Sequence, residues 1–422
     1  MRGRASWRPL HTVNTRLPWL PSAGPNERLN NRAVKHAPRH LLLLGWYRPG
    51  TGFTRVLESL LPLLAREFRV TWYGVGYRGE AFAPIDRVTV LPTNLRGGDL
   101  VGAYAAAAAW NELAPDAVLA LNDLWYLKHY THTLGPLRGS VPMVGYAPID
   151  GILDDTRWIE ALIAFSTLVT YTESAADNVR AVAREAHLDL QVAVAGHGVD
   201  LSRFRPTSLT LEEKKCQAQT LFGLAAPAFV ILNAARPDPR KRIDLTLAGF
   251  APFAHAHPDA YLCLHHAIEH TPAIDALRQQ AAALGIQNRV LFWPKTPGPL
   301  SDTDLNALYN ACSVGINTAH GEGFGLVSFE HAATGAPQIV PGQAALIELW
   351  GAGAHCLPVR SVKTPHSPLT MVEIDPVDIA SALNELRAPE RWAAASAAAA
   401  THVQHPRFNW SVVADQLLAH LR

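Results

Sequence analysis

His40-Leu-Leu-Leu-Leu-Gly-Trp-Tyr47 is followed by Arg48-Pro-Gly-Thr-Gly52 and then by residues 53–68, with Val56, Leu57, Leu60, Leu61 and Leu64 at helical spacing. The unbroken apolar run predicts a strand buried on both faces, the glycine-rich piece a turn, and the spaced apolar residues an amphipathic helix. Pro62 is expected to kink or divide that helix. The succession repeats. Strands are expected at 70–75, 88–91, 117–121, 143–147, 168–172 and 192–195, with helices at 100–113, 156–165 and 174–186. A polar, proline-punctuated stretch, Val199-Asp-Leu-Ser-Arg-Phe-Arg-Pro206, reads as an interdomain linker. Beyond it a second series predicts strands at 229–234, 261–265, 290–292, 314–317, 338–340 and 356–359. Helices at 243–254, 274–284, 302–311 and 326–334 fall between most of them. Strands alternating with helices imply parallel sheets covered on both faces. The expected fold class is therefore α/β, with two Rossmann-like doubly wound domains in tandem. Ligands of such sheets bind beyond the carboxyl ends of the strands.

Composition agrees with this reading. A chain of 422 residues is long for one core, and nearly half of it is hydrophobic. Formal net charge is +1, so no global field selects nucleic acid. The cysteines, Cys216, Cys263, Cys312 and Cys356, lie far apart without a CxxC pair. That argues against a zinc site or a disulfide scaffold and fits a cytoplasmic location. No run approaches the roughly 20 apolar residues that span a bilayer. Residues 1–38 are rich in arginine and proline and read as a disordered extension, with peripheral membrane contact left open.

Two segments carry chemistry. In Gly321-Glu322-Gly-Phe-Gly-Leu-Val-Ser-Phe-Glu330, a glycine-rich turn separates two glutamates. Gly323 and Gly325 let the backbone approach a ligand closely. A helix beginning near Leu326 would aim free N–H groups at a phosphate in that turn. Glu330, about one turn further in, could accept two hydroxyl protons from a ribose. The second segment, Asn233-Ala-Ala-Arg236-Pro-Asp-Pro-Arg-Lys241-Arg-Ile-Asp244, puts Arg236, Arg240, Lys241 and Arg242 in one loop before a helix. Cations there oppose the helix dipole unless an anion is bound. Arginine offers phosphate a bidentate fork and lysine a point charge.

These segments resemble the group 1 (family 4) glycosyltransferases. Arg236, Lys241 and Asp244 fall on that family's Arg-x-x-x-x-Lys-Gly-x-Asp element, with Arg242 in place of the common glycine, and Glu322…Glu330 on its E-x7-E element. Thr172-Glu-Ser174, Gly196-His-Gly-Val-Asp200 with Phe204-Arg-Pro206, Ala311-Cys-Ser-Val-Gly315 and Trp410 resemble further family segments, so the likeness runs from about Arg39 to the end.

The resemblance implies the GT-B fold, with both domains facing a cleft. It implies a retaining, metal-independent hexosyltransferase-like enzyme without a cofactor, moving sugar from a nucleotide-diphosphate donor to a glycan, lipid or protein hydroxyl. The domains would be 39–205 on the acceptor side, 206–405 for the nucleotide sugar, and 406–422 as a helix packing back on the first. Arg236 and Lys241 would hold the diphosphate and Glu330 the ribose. Glu322 would meet the donor sugar, and Gly323, Phe324, Gly325 and Leu326 would complete the cradle. The family's N-domain histidine is absent, and Asp150 or Tyr146 stands in its stretch, Asp150 also reading as the first residue of an Asp-Gly turn. Gly50, Thr51 and Gly52 resemble the family's N-domain glycine loop. Asn122-Asp123 ends a strand at the cleft rim, and His265-His266 reads as strand-end side chains. A non-catalytic relative binding a nucleotide sugar or a protein is the alternative.

Overall fold

A computed structural model describes residues 38–93, 98–266, 271–294, 298–363, 367 and 369–422. All of the expected N-terminal extension except Pro38 lies outside the described residues. The first domain holds β1 (Arg39–Trp46), β2 (Phe68–Val75), β3 (Val88–Pro92), β4 (Ala117–Leu121), β5 (Met143–Tyr146), a short β6 (Ile152–Leu153), β7 (Thr167–Thr170) and β8 (Gln191–Val194). The second holds β9 (Phe229–Asn233), β10 (Ala260–His265), β11 (Val290–Trp293), β12 (Val314–Ile316), β13 (Gln338–Pro341) and β14 (His355–Leu357). β15 (Val359–Lys363) and β16 (Leu369–Ile374) follow as an antiparallel pair.

The sheets are parallel, in the orders β3-β2-β1-β4-β5-β7-β8 and β11-β10-β9-β12-β13-β14. Each order reverses once, between β1 and β4 and between β9 and β12. Loops leave that point in opposite directions and open a crevice there.

The alternation inside β1 shows why its leucine run is unbroken. Leu41 and Leu43 enter one core cluster with Val56, Leu57, Leu60 and Leu64, while Leu42 and Leu44 enter another with Leu124, Leu127 and Tyr130. Period-two side chains feed both faces of a covered sheet. In β9, Val230 and Leu232 divide from Phe229 and Ile231 in the same way. The helix Trp410–Leu421 lies on the first domain. Its Val413, Leu417 and Leu421 join the cluster that contains Leu41, and Arg422 reaches Glu67 at 2.6 Å. Trp410 packs on Gly198, where any Cβ would come within 2.5 Å of the indole.

Some expectations need correction. Pro62 does not divide its helix, which runs Gly52–Leu64 with the proline in its last turn, where only one ladder bond is lost. Residues 100–113 form two helices, Ala103–Ala108 and Trp110–Leu113, broken at Ala109 (φ −91°, ψ 2°). In 156–165 only Arg157–Glu160 is helical, although Ile159, Leu162 and Phe165 are buried as the spacing expects. The helices Leu124–Thr133 and Leu211–Phe222 and the β15–β16 hairpin were not anticipated.

Candidate active site

The two motifs meet because of strand order. The basic loop leaves β9 and the glycine-rich turn follows β12, the two strands that flank the reversal in the second sheet. Residues more than seventy positions apart thus share one crevice. Lys241 Nζ lies 2.5 Å from Glu322 Oε2, and Asn317 Nδ2 donates to the same oxygen at 3.4 Å. Burial works to raise the Glu322 pKa, but the charges of Lys241 and Arg240 outweigh it and hold the carboxyl below its usual value. The backbone ties the loops together as well. His320 N donates to Arg240 O at 2.8 Å, and Thr318 Oγ1 lies 3.0 Å from Lys241 O. Gly325, at φ +81°, precedes the helix Leu326–Ala332 and turns the chain into it.

Arg242, which stands in the glycine position of the family pattern, has φ +47°, ψ 47°. That left-handed conformation is what a glycine adopts without strain. Here the guanidinium is tied to Asp244 at 2.8 Å and also to Glu373 and His320, so side-chain bonds hold the strained backbone.

The first domain presents acids to this crevice. Asp150, buried beyond β5, pairs with Arg240 Nη1 at 3.0 Å. Arg240 also donates to Gly321 O. Asp123 follows β4 at the reversal of the first sheet. Burial, with the Asp150 charge, pushes its carboxyl up to about 7 even though Arg240, Arg236 and Lys241 are near enough to oppose the shift. Tyr171, which follows β7, is buried with its hydroxyl unpartnered, and it feels the charges of Asp123, Asp150 and Glu322. A buried hydroxyl without a partner marks a place where a ligand's polar group or water belongs. Sequence reading singled out Asp150, named Asp123 without a role and missed Tyr171. The topological reversal is the signal that gives Asp123 its place beside Asp150.

Glu330 is elsewhere. It is only 3% exposed, with its oxygens held by Arg55 Nε at 3.3 Å and by the Tyr309 hydroxyl at 3.2 Å. Arg55 comes from the helix that opens at Gly52 in the first domain, and it also meets Asp302 at 2.9 Å. Burial lifts the Glu330 carboxyl to about 7 despite Arg55. Gly50 (φ +82°) and Thr51, whose hydroxyl donates to Arg48 O at 2.7 Å, form the turn before that helix. Arg236 is exposed at the mouth of the basic loop. His265 and His266 bond the carbonyls of Trp293 and Ala235 at 3.1 and 2.8 Å, as strand-end side chains do. His197 lies between Tyr171 and Phe324 with tilted rings at centroid distances of 4.1 and 4.7 Å, and burial drives its pKa down to about 3. Phe324 is therefore a core side chain, offering a ligand only its backbone.

Residues 222–358, the span that contains both motifs, match the family profile described as Glycosyl transferases group 1. That segment is a group 1 glycosyltransferase domain. The chain has the GT-B fold. It is 32% identical over 235 residues to a D-inositol 3-phosphate glycosyltransferase of Thermomonospora curvata, covering 54% of this chain and 50% of that one. The corresponding protein of Saccharomonospora viridis is 31% identical over 302 residues, 69% of this chain and 63% of its own length. The chain thus spans between half and two-thirds of these curated relatives. Among solved structures, sucrose-phosphate synthase from Thermosynechococcus elongatus superposes with a TM-score of 0.69 at 17% identity, over 91% of this chain and 98% of the other. Anabaena HepE in complex with UDP-glucose superposes with a TM-score of 0.65 at 17% identity, over 91% and 99%.

Proposed function

We propose that this chain transfers a glycosyl group from a nucleotide-diphosphate sugar to an acceptor hydroxyl, with retention at the anomeric carbon and without a metal ion. One observation carries the reading: Lys241, Arg240 and Glu322 converge at the reversal of the second sheet, opposite Asp150 and Asp123 from the first. Lys241 and Arg236 neutralise the diphosphate as it leaves, the role that metal cations take elsewhere. Glu322 lies beside Lys241, where it addresses hydroxyls of the transferred sugar. Gly323, Gly325 and Leu326 line the turn, and Gly50 to Gly52 form the opposite rim. Glu330 meets the ribose once Arg55 is drawn aside. The free cysteines among the described residues fit a cytoplasmic setting.

UDP-linked sugars are the first donors to try, because the HepE structure holds UDP-glucose. D-inositol 3-phosphate is the first acceptor, after the names of the relatives. Thermal unfolding with UDP-, GDP- and ADP-sugars tests the donor half. A ligand at a hundred times its dissociation constant adds about 2.7 kcal/mol, which is easily read. One base class should stabilise the protein, and Glu322→Ala should reduce the effect. Folded protein that no nucleotide stabilises would sink the reading.

Asp123 tests the acceptor half. Its ionised form can take the acceptor proton and its protonated form cannot. Because its pKa lies near 7, kcat/KM is expected to rise with pH through that value. Asp123→Asn should remove this limb and lower kcat at pH 8 by about 10²-fold or more, with donor binding kept. A variant with an unchanged pH profile would exclude Asp123 from the proton transfer.

A further inference from the structure

In the basic loop, Arg240 meets Asp150, Lys241 meets Glu322, and Arg242 meets both Asp244 and Glu373. Arg242 has every guanidinium nitrogen engaged. Its Nε and Nη2 donate to the Asp244 carboxylate at 2.9 and 2.8 Å, while Nη1 is taken by Glu373 of β16 and by His320. No free fork is left to offer a phosphate.

Arg242 is also the residue that joins the 3₁₀ turn Pro239–Lys241 to the helix Ile243–Ala256. Its left-handed backbone, φ +47°, sets the bend there, and with it the direction in which Lys241 leaves the loop. A glycine would adopt that conformation freely, and many others as well. The arginine is held to it by its side chain. The same bonds reach the segment that delivers Glu322. His320 Nε2 lies 2.9 Å from Glu373 Oε2, Val372 N donates to His320 O at 2.8 Å, and His320 N donates to Arg240 O at 2.8 Å. Thr318 Oγ1 sits 2.9 Å from Arg242 O. Residues 240–242 and 318–320 are thus pinned to each other and to β16, all within the second domain. Bonds from His320 and Arg242 hold the Glu373 carboxyl down at about 2, so it stays ionised at neutral pH.

We propose that Arg242 is a positioning residue for the diphosphate site: anchored by Glu373 and Asp244, it holds the bend that keeps Lys241 against Glu322. It acts through Lys241 and does not touch the donor itself. A lysine fixed in this way needs no reorganisation as charge develops on the leaving group, the condition under which such a cation is most effective. A glycine at 242 would leave Lys241 its charge and take away its place, and a displacement of about 1 Å costs about 10²-fold. An arginine that was merely tolerated there would give the reverse result, because glycine would relieve the left-handed backbone and cost nothing else.

The test uses the full chain. In Arg242→Gly, the coupling between Lys241 and Glu322, measured by a double-mutant cycle of Lys241→Met and Glu322→Gln on unfolding, should fall by about half or more with no ligand present. The dissociation constant for UDP should rise about tenfold, as for a lost charged hydrogen bond, while that for uridine, which has no phosphate to place, stays as in the wild type. The kcat for nucleotide release should fall about 10²-fold. Glu373→Gln keeps an acceptor oxygen and should move each readout the same way by a smaller factor. Added to Arg242→Gly it should change nothing further, because both act through one node. Arg242→Lys, a point charge without the fork, should stay close to the glycine variant. Should Arg242→Gly fail to fold, Glu373→Gln carries the same readouts.

Unchanged coupling between Lys241 and Glu322 in Arg242→Gly, with UDP affinity as in the wild type, would overturn the proposal. Equal losses of UDP and uridine affinity would overturn it too, since they mark bonds that only support the domain's stability. The nucleotide readouts alone rest on the proposed donor reading. If UDP binds none of the proteins, the wild type included, while the coupling falls as expected, the donor reading fails and the positioning role stands.

Discussion

Lys241→Ala is expected to lower kcat/KM about 10³-fold, measured as nucleotide released from the donor. On the proposed reading, the lysine's single charge faces a diphosphate that gains negative charge as the glycosidic bond breaks, and one such group in a water-poor site supplies about 10²- to 10³-fold. The structure adds a second effect. The Lys241 and Glu322 side chains are only 13% and 16% exposed, so truncating the lysine strands a carboxylate away from water. Unfolding free energy should therefore fall by about 3 kcal/mol. The two effects separate in Lys241→Met combined with Glu322→Gln, which removes both charges and keeps the shapes. That protein should regain most of the lost stability and none of the activity. Recovery of transfer along with stability would show that Lys241 serves only to neutralise Glu322.

Gly321→Ala is expected to cost about 10²-fold in kcat/KM through geometry alone. A Cβ at Gly321 would lie 1.8 Å from the Asp150 carbonyl oxygen, which belongs to the other domain. Backbone on backbone cannot give way by rotating a side chain, so the domains must separate or the turn must move. Either motion disturbs Arg240, which holds Gly321 O and Asp150 together. A displacement of about 1 Å at a reacting centre is enough for a 10²-fold loss. Stability should fall by about 1–3 kcal/mol, the usual effect of overpacking. Full activity in Gly321→Ala would mean that the working enzyme does not hold these loops in contact.

The local elements were legible because their signals are local. The four leucines of β1 announce a strand covered on both faces, and the spacing of Val56, Leu57, Leu60 and Leu64 announces the helix packed on it. Ala117–Leu121 and Asp302–Ala311 lie at the bounds expected of them. Where a signal was weak, tertiary packing decided. The alanine-rich stretch before Leu113 has high helix propensity throughout, and nothing in its composition marks the break at Ala109. Residues 359–374 carry no alternation that names a partner, because their strands are half-exposed and one edge of β16 pairs with β6 of the other domain.

The site divides in the same way. Residue type and spacing singled out Lys241, Glu322 and the glycines between the two glutamates as candidates, and the structure brings Lys241 and Glu322 together. Glu330 was legible as a motif position, but its partners Arg55 and Tyr309 were not, because neither is its neighbour in sequence. The sequence by itself determined which residue types stand in the two motifs, and that two parallel sheets would carry them. Strand order decided that the loops after β9 and β12 share a crevice, and the packing of one domain on the other decided that Asp150 meets Arg240 there and that Arg55 closes over Glu330. The physical reason is that hydrogen-bond ladders and turn preferences act over a few residues, whereas strand order and domain contact follow from how the whole apolar surface is buried.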